Sequence, residues 1–187
     1  MEIGVFLARL QPLHNGHMEI IKKMYSENDE IHIFIGSSDK KGTERNPISY
    51  CFRRYLLELS LLYAFGDDYE NKITVHPMRD WSSEEDVSTE WGSYLYYNIA
   101  SKIKAHEFKI YSSENPEDIL KWFDDKISNR IDFVFSDRDK ICDGISATDI
   151  RHALEIGDID YVKKYCPKAI VDFYPRLRRK IMEIGGK

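Results

Sequence analysis

Cysteine is scarce in this chain, and its placement argues against two classes of protein. The three cysteines, Cys51, Cys142 and Cys166, are spread over 187 residues. Their odd number and wide spacing match neither a disulfide framework nor the close pairs of a metal site. We therefore expect reduced thiols in a cytoplasmic protein, and we assign no residue as a metal ligand.

Long apolar runs and a strong positive charge are also missing. No segment approaches the ~20 apolar residues of a membrane span, and the apolar run from Ile3 is too short for a signal peptide and is interrupted by Arg9. The formal net charge of −5 argues against a general nucleic-acid binder. A small anionic ligand is not excluded, because a few arginines in a cleft set the local potential.

The chain lacks linker-like tracts and internal repeats, and its length suits one well-packed domain. Strand-like and helix-like patterns alternate about five times. The alternation predicts an α/β protein with a parallel sheet, helices on both faces and a ligand site at the carboxyl ends of the strands. The predicted strands cover residues 3–7, 30–36, 72–77, 108–111 and 131–135; the predicted helices follow the caps Asn15, Ser49 and Ser146 and cover residues 90–103, 117–126 and 169–184. Within the last of these segments, Pro175 must start a new helix or kink one.

Two of the predicted helices carry features that bear on the fold. The helix after Ser49 runs to about residue 64, with Tyr55, Leu56, Leu59 and Leu62 as its apolar set. The segment 90–103 has an aromatic stripe at helical spacing, which is usually part of the core.

The junction between the first strand and the first helix suits an anion. Arg9 follows the strand, His14 lies in the loop, and His17 lies three residues later in the first turn. A helix start presents unpaired N–H groups and the positive end of the helix dipole. Both imidazoles can therefore face one phosphate.

A second helix start has similar chemistry near residue 146. Ser146 and Asp149 have the spacing of a capping box, which places Thr148 and Arg151 in the first turns of the helix. A nucleoside triphosphate between the two helix starts would meet N–H groups, imidazoles and guanidiniums. Because no nucleophile dyad is apparent, chemistry by positioning and charge stabilisation, such as nucleotidyl transfer, fits best.

These two segments resemble the signatures of the nucleotidylyltransferase superfamily. The run His14-Asn15-Gly16-His17 resembles HxGH, and residues 145–151, ISATDIR, resemble ISxTxxR. The wider run 8–17, ARLQPLHNGH, is closest to the archaeal-type nicotinamide mononucleotide (NMN) adenylyltransferases, whose version reads GRxQPxHxGH. The resemblance implies a Rossmann-like core over residues 1–165 and a C-terminal helical extension over residues 166–187.

The resemblance also implies a reaction, a cofactor and an assembly. The NMN 5′-phosphate attacks the α-phosphorus of ATP in line, giving NAD and pyrophosphate, with Mg²⁺ carried mainly by the ATP phosphates. The family forms homo-oligomers, so we expect one here. The implied catalytic residues are His14, His17, Arg45 and Arg151; the implied ATP contacts are Arg9, Gln11, His14, His17, Ser146, Thr148 and Arg151; the implied NMN contacts are Gly36, Ser37, Asp80 and Trp91, with Trp91 stacking on the nicotinamide ring.

Departures from the family pattern affect the acceptor more than the ATP site. Ala8 replaces the usual Gly, and Ala147 stands where Ser or Gly is common, but neither change removes a charged group. Transfer to another phosphorylated acceptor such as pantetheine phosphate, cytidylyl transfer, and a nucleotide-binding regulator without catalysis remain open alternatives.

Overall fold

Within residues 1–83 and 87–185, which the computed structural model describes, five parallel strands form one sheet. The strands are β1 (Ile3–Ala8), β2 (Glu30–Ile35), β3 (Ile73–Pro77), β4 (Phe108–Ser112) and β5 (Ile131–Phe135). Their order is β3-β2-β1-β4-β5, and every neighbouring pair is parallel. The predicted fold class is confirmed. Because the strand order reverses between β1 and β4, a crevice opens at their carboxyl ends, where ligands of such sheets bind.

Helices cover both faces of this sheet. Successive side chains of a strand alternate between its faces, so Val5 and Phe6 enter two different apolar clusters. The Phe6 cluster holds side chains of α1, α2 and α6 to α9, and the Val5 cluster holds side chains of α3 to α5. The helices are α1 (Asn15–Glu27), α2 (Tyr50–Phe65), α3 (Thr89–Ile103), α4 (Pro116–Leu120), α5 (Asp125–Ser128), α6 (Ala147–Ile156), α7 (Ile159–Tyr165), α8 (Lys168–Asp172) and α9 (Tyr174–Gly185). None of the described helices is both long and apolar enough to cross a membrane.

Two helical predictions were wrong in detail, and side-chain caps explain both. The predicted helix 117–126 is split into α4 and α5, because the Asp124 side chain accepts a hydrogen bond from the Ile127 amide (2.8 Å) and starts a new helix. Asp158 starts the unforeseen α7 in the same way, through the Tyr161 amide (2.9 Å). In the tail, Pro175 starts a new helix, which is one of the two predicted outcomes: it lies in the first turn of α9, where its missing N–H costs nothing, and α8 precedes it.

The apolar set predicted for α2 was partly wrong, because Leu56 is buried and Leu59 half-buried but the other two residues lie on the exposed side. Tyr55 and Leu62 are exposed, whereas the buried residues are Arg53, Leu56, Leu57, Ser60 and Leu61. These five have the i, i+3, i+4, i+7, i+8 spacing of a helix face packed on a core. The apolar residues alone do not identify that face, because the polar residues Arg53 and Ser60 occupy two of its buried positions.

Candidate active site

The first cavity lies at the carboxyl ends of β1 and β4, between the N-termini of α1 and α6. Its volume is about 290 Å³. Its lining includes every residue that the sequence assigned to catalysis or ATP: Arg9, Gln11, His14, His17, Arg45, Ser146, Thr148 and Arg151. Gln11 and Arg151, which are 140 residues apart in the chain, thus meet at one site. The role of each lining residue stays a prediction.

The two histidines stack on one another at the start of α1. Their ring centroids are 3.7 Å apart, and the ring planes differ by 29°. His14, not the predicted Asn15, occupies the position that precedes the helix. Its backbone N–H donates to His17 Nδ1 (3.3 Å), so that nitrogen carries a lone pair. A neutral His17 therefore has its proton on Nε2 and offers one N–H donor.

Both imidazoles are held in the neutral form. Burial and, to a smaller extent, the nearby Arg138 lower the pKa of His14 from 6.5 to about 4, against a smaller effect of Asp149. Burial also lowers the pKa of His17 well below its ordinary value, with added repulsion from His14 and Arg138. At neutral pH these rings act as dipolar hydrogen-bonding groups, and the positive charge of the cavity comes from its arginines.

Gly16 lies closely against the His14 ring. A Cβ at residue 16 would lie 3.1 Å from His14 Nδ1 and 3.2 Å from its Cε1. Those distances are tighter than ordinary van der Waals contact, so a Cβ here would require the imidazole to shift by a few tenths of an ångström. The middle of the HNGH segment is glycine for a packing reason.

The start of α6 has the predicted capping box. The Ser146 hydroxyl accepts from the Asp149 amide (3.2 Å), and the Ser146 amide donates to Asp149 Oδ2 (3.0 Å). Arg151 donates from Nη1 to the Gln11 carbonyl oxygen (2.9 Å) and from Nη2 to Thr148 Oγ1 (3.1 Å). The α6 end of the site is thereby tied to the loop after β1.

Gln11 lines the cavity, but its side chain is occupied in a structural link. The Gln11 amide group donates to the Ile48 carbonyl (2.9 Å) and to Asn46 Oδ1 (3.2 Å), and its Oε1 accepts from the Ile48 amide (3.0 Å). These bonds fasten the loop after β1 to the end of the loop after β2. Gln11 thus holds both loops in place.

Arg53 is a site residue that sequence reasoning missed. Its side chain is buried, and it donates to the backbone carbonyls of Arg9, Gly36 (2.8 Å) and Ser37 (2.9 Å). Burial lowers its pKa only to about 10, so it stays charged at neutral pH. Arg53 thus joins the ends of β1 and β2 from beneath. Its place on the i, i+3, i+4 pattern of α2 was the available signal.

A second cavity adjoins the first and has a different lining. Its volume is about 590 Å³, and all four predicted NMN contacts, Gly36, Ser37, Asp80 and Trp91, line it. Ser37 donates from Oγ to Asp80 Oδ1 (3.0 Å), while its backbone has a φ of 46°, in the left-handed region. A non-glycine residue in that conformation is uncommon and typical of loops shaped for a ligand.

Two tryptophans form the apolar wall of this second cavity. The ring of Trp122, which the sequence did not single out, meets the ring of Trp91 edge-on, with centroids 6.4 Å apart and an interplanar angle of 70°. Trp91 is also a member of the apolar core that contains Val5. A Cβ on Gly92 would lie 1.7 Å from the Trp122 carbonyl oxygen, so only glycine permits this approach.

Arg9, Arg45 and Glu114 line both cavities. Arg138, also missed from the sequence, lines the first cavity after the end of β5, with its Nη1 3.9 Å from Glu114 Oε2. Arginines therefore lie where the two cavities join, which is where two phosphate-bearing ligands would approach one another. The charged turn after the last predicted strand was the signal for Arg138.

Comparison with known proteins places the chain in a family. A model of the cytidylyltransferase-like family matches residues 5–153, which contain both signature segments and the residues that line both cavities. The chain belongs to the cytidylyltransferase-like family. It is 39% identical over 92 residues to a nicotinamide-nucleotide adenylyltransferase of Thermococcus onnurineus, covering 49% of this chain and 46% of that protein. A Methanococcus aeolicus protein of the same name is 31% identical over 120 residues, with coverage of 61% and 67%. The match to the first of these relatives thus spans about half of that protein's length.

A solved structure shows the same fold over nearly the whole chain. It is the bifunctional NMN adenylyltransferase/ADP ribose pyrophosphatase of Francisella tularensis, complexed with AMP and a manganese ion. The TM-score is 0.76 at 21% sequence identity, and the match covers 99% of this chain and 53% of the other. The likeness extends through the C-terminal helices and confirms the predicted Rossmann-like fold.

Proposed function

We propose that this protein is an NMN adenylyltransferase, which transfers AMP from ATP to NMN and releases pyrophosphate. The observation that carries the proposal is the pair of adjoining cavities. One has arginines, neutral histidines and two helix N-termini, which suit a triphosphate. The other has two tryptophans and joins the first at Arg9 and Arg45. The names of the relatives agree with this assignment.

The reaction needs positioning and charge stabilisation. An oxygen of the NMN 5′-phosphate attacks the α-phosphorus of ATP, a new P–O bond forms, and the bond to the β-phosphate oxygen breaks as pyrophosphate leaves. Arg9 and Arg45, at the junction, would reduce the repulsion between the two phosphates. His17 would donate from Nε2 to the charge that develops at the α-phosphate, and Arg151 with the α6 N-terminus would hold the leaving pyrophosphate.

The acceptor's ring would lie against the tryptophans. With the NMN phosphate at Arg9 and Arg45, the rest of the ligand extends toward Trp91 and Trp122. A pyridinium ring is cationic and flat, so the face of an indole stabilises it by stacking and by cation–π attraction. Gly36 lets the nucleotide approach the strand end, because no Cβ projects there.

The site fits a magnesium ion that is held chiefly by substrate phosphates. Among residues 1–83 and 87–185, no three or more His, Cys, Asp or Glu side chains form a metal-binding group. Mg²⁺ usually keeps several waters and takes one or two carboxylates plus phosphates. Glu114, which lines both cavities, and the neighbouring Ser113 are the oxygen donors that would hold it. When bound, the ion would supply charge neutralisation on the triphosphate.

A turnover panel tests the proposal. The purified protein is incubated with Mg²⁺ and either ATP or CTP against NMN, pantetheine phosphate and other phosphorylated acceptors, and pyrophosphate release is measured. We expect the ATP–NMN pair to be the most active and NAD to be its product. Activity confined to another pair would show that the acceptor or the nucleotide is not the one proposed. Binding of ATP without any turnover would favour a nucleotide-binding regulator without catalysis.

The second candidate function is cytidylyl or adenylyl transfer to a different phosphorylated acceptor. This candidate is supported by the description of the family, because the matching model is named for cytidylyltransferases. The tryptophan pair counts against it, since a pantetheine chain has no flat ring to stack there. The expected homo-oligomer and the cytoplasmic location stay predictions.

A further inference from the structure

We infer that the C-terminal end of α7 holds the two helix starts of the first cavity at a fixed spacing, with Asn15, Asp143 and Tyr165 as positioning residues. The inference rests on the proposed function, in which the triphosphate lies between these helix starts. None of these three described residues lines the first cavity, so each acts through the helix start that it holds. The contacts formed by Asn15, Asp143, Lys164 and Tyr165 are called the α7 bridge below.

The first contact of the α7 bridge joins α7 to α1. The Asn15 side chain donates from Nδ2 to the Lys164 carbonyl oxygen (3.2 Å). Asn15 is the first residue of α1 and directly follows His14. Lys164 lies in the last turn of α7, where the carbonyl groups have no partner within their own helix. The start of α1 therefore satisfies a free carbonyl at the end of α7.

The second contact joins α7 to the turn before α6. The Tyr165 hydroxyl donates to Asp143 Oδ2 (3.0 Å) and accepts from Lys164 Nζ (2.7 Å). Lys164 Nζ also lies 3.8 Å from Asp143 Oδ2. Asp143 precedes Ser146, the residue that caps α6, by three positions. The end of α7 thus holds the turn that leads directly into the second helix start.

The backbone of this turn has an unfavourable conformation that needs support. Cys142, Asp143 and Gly144 have φ values of 48°, 58° and 69°, so three successive residues are in the left-handed region. Only glycine adopts that region without cost, although aspartate tolerates it better than most residues. Non-glycine residues persist there where surrounding contacts determine the conformation, and they cluster at ligand sites. The hydrogen bond from Tyr165 to Asp143 supplies such a contact.

The α7 helix is itself fixed to the core, so it can serve as a support. Val162 and Cys166 are buried in the apolar cluster that also contains side chains of α1 and α6. Inside the first cavity, the same two segments are linked by Arg151, which donates to the Gln11 carbonyl (2.9 Å). Arg151 would also have to contact the phosphates, whereas the α7 bridge has no such second task. The bridge therefore maintains the spacing while ATP binds, and a site organised in advance binds its ligand more tightly.

The first test is Tyr165→Phe, which removes the hydroxyl and keeps the ring. Because the bond to Asp143 is exposed to solvent, we expect a moderate effect, a rise of about threefold to tenfold in the KM for ATP. Calorimetric titration with MgATP in the absence of an acceptor should show the same rise in Kd. The KM for NMN should not change, because the residues of the α7 bridge do not line the second cavity.

The chain supplies a matched control and a conservative rescue. Tyr161 lies one turn earlier on α7, with its ring centroid 4.6 Å from that of Tyr165, and its hydroxyl forms none of the contacts of the bridge. Tyr161→Phe should leave the Kd for MgATP unchanged. Asp143→Asn keeps an oxygen that accepts the Tyr165 hydroxyl and should retain most of the affinity, whereas Asp143→Ala should lose as much as Tyr165→Phe.

A double variant distinguishes one bridge from two separate local contacts. Asn15→Ala breaks the contact with α1, and Tyr165→Phe breaks the contact with the turn before α6. A bridge that is broken at either end no longer fixes the spacing, so the Asn15→Ala/Tyr165→Phe double variant should bind MgATP about as well as either single variant. Independent contacts would instead give additive effects.

The possible outcomes separate this inference from the proposed function. An unchanged Kd for MgATP in Tyr165→Phe, or additive effects in the double variant, overturns the bridge and leaves adenylyl transfer to NMN intact. The expected changes in Kd without NAD formation overturn the proposed acceptor and leave the bridge intact. Absence of ATP binding by wild type overturns both. If thermal unfolding shows that Tyr165→Phe does not fold, the comparison of Asp143→Asn with Asp143→Ala decides.

Discussion

His17 is the residue whose chemistry the structure defines most closely. Its Nδ1 accepts the His14 amide, so a neutral ring presents only Nε2–H to the first cavity. His17→Ala removes this donor, and we expect turnover to fall ~10²–10³-fold, as is typical when one transition-state donor is lost. Steady-state kcat at saturating substrates measures the effect. His152→Ala, on the exposed face of α6, is the control, and unchanged turnover in His17→Ala would remove His17 from the catalytic set.

Because buried histidines have lowered pKa values, we expect the free energy of unfolding to fall in mild acid. The pKa of His14 is about 4 in the folded protein but about 6.5 when the chain is unfolded. The unfolded state therefore takes up a proton first as the pH falls, so stability is full above about 6.5 and declines toward pH 4. His14 alone accounts for about 3 kcal/mol over that interval. His76, whose pKa burial and then His32 also lower to about 4, adds to the decline.

Urea unfolding of wild type and His14→Gln across pH 4–7 measures this dependence. We expect the wild-type free energy of unfolding to fall more steeply than that of the variant below pH 6.5. Equal slopes would show that His14 titrates normally in the folded protein.

At the scale of single residues, sequence reasoning found groups that a spacing rule identifies and missed groups that need the tertiary fold. His14, His17, Ser146 and Arg151 follow from helix starts, which local chemistry predicts. Arg53 acts through three backbone carbonyls of other segments, and Trp122 becomes part of a cavity only because Gly92 lets α3 approach its carbonyl. Neither fact can be read from the residues beside them in the chain.

At the scale of elements, α2 is the support of both binding loops. Arg53→Met would leave the carbonyls of Arg9, Gly36 and Ser37 without their charged donor. We expect a loss of about 3 kcal/mol or more in the free energy of unfolding and a higher KM for both ATP and NMN. Urea unfolding and initial rates measure these two effects.

The chain supplies a close control for that change. Arg54 is the next residue on α2, but it is exposed and pairs with Glu58 (2.7 Å) in solvent. Arg54→Met should change stability by less than about 1 kcal/mol. Arg53→Lys keeps the charge but has fewer hydrogen-bond donors. Its loss in the free energy of unfolding should lie between those of Arg53→Met and Arg54→Met. Equal effects at positions 53 and 54 would contradict the supporting role of α2.

Trp81, the third tryptophan of the chain, gives a control for the proposed stacking of the acceptor ring on Trp91. Trp91 lines the second cavity, whereas Trp81 is 55% exposed, contacts Tyr94 and lines neither cavity. Trp91→Ala should raise the KM for NMN much more than that for ATP, because the stacking surface is lost. Trp81→Ala should change neither constant by a comparable factor. An effect of Trp91→Ala confined to ATP would contradict the placement of the pyridine ring.

Across the whole molecule, periodicity and alternation were sufficient to predict the parallel sheet and the edge that holds the site. They were insufficient for the short helices α4, α5 and α7, where single side-chain caps decide the boundaries. The proposed division at residue 165 stays a prediction. Cys166, Ile170 and Leu177 are buried in the same apolar cluster as α1 and α2, so the C-terminal helices pack on the core.

The central claim is that two joined cavities hold ATP and NMN together for direct transfer. The most direct measurement follows NAD formation alongside exchange of labelled pyrophosphate into ATP, with and without NMN. We expect NAD and pyrophosphate in equal amounts, and no exchange until a pyridine nucleotide is present, because no adenylylated protein forms. Exchange with ATP alone, or the absence of NAD when both substrates are bound, would contradict the account.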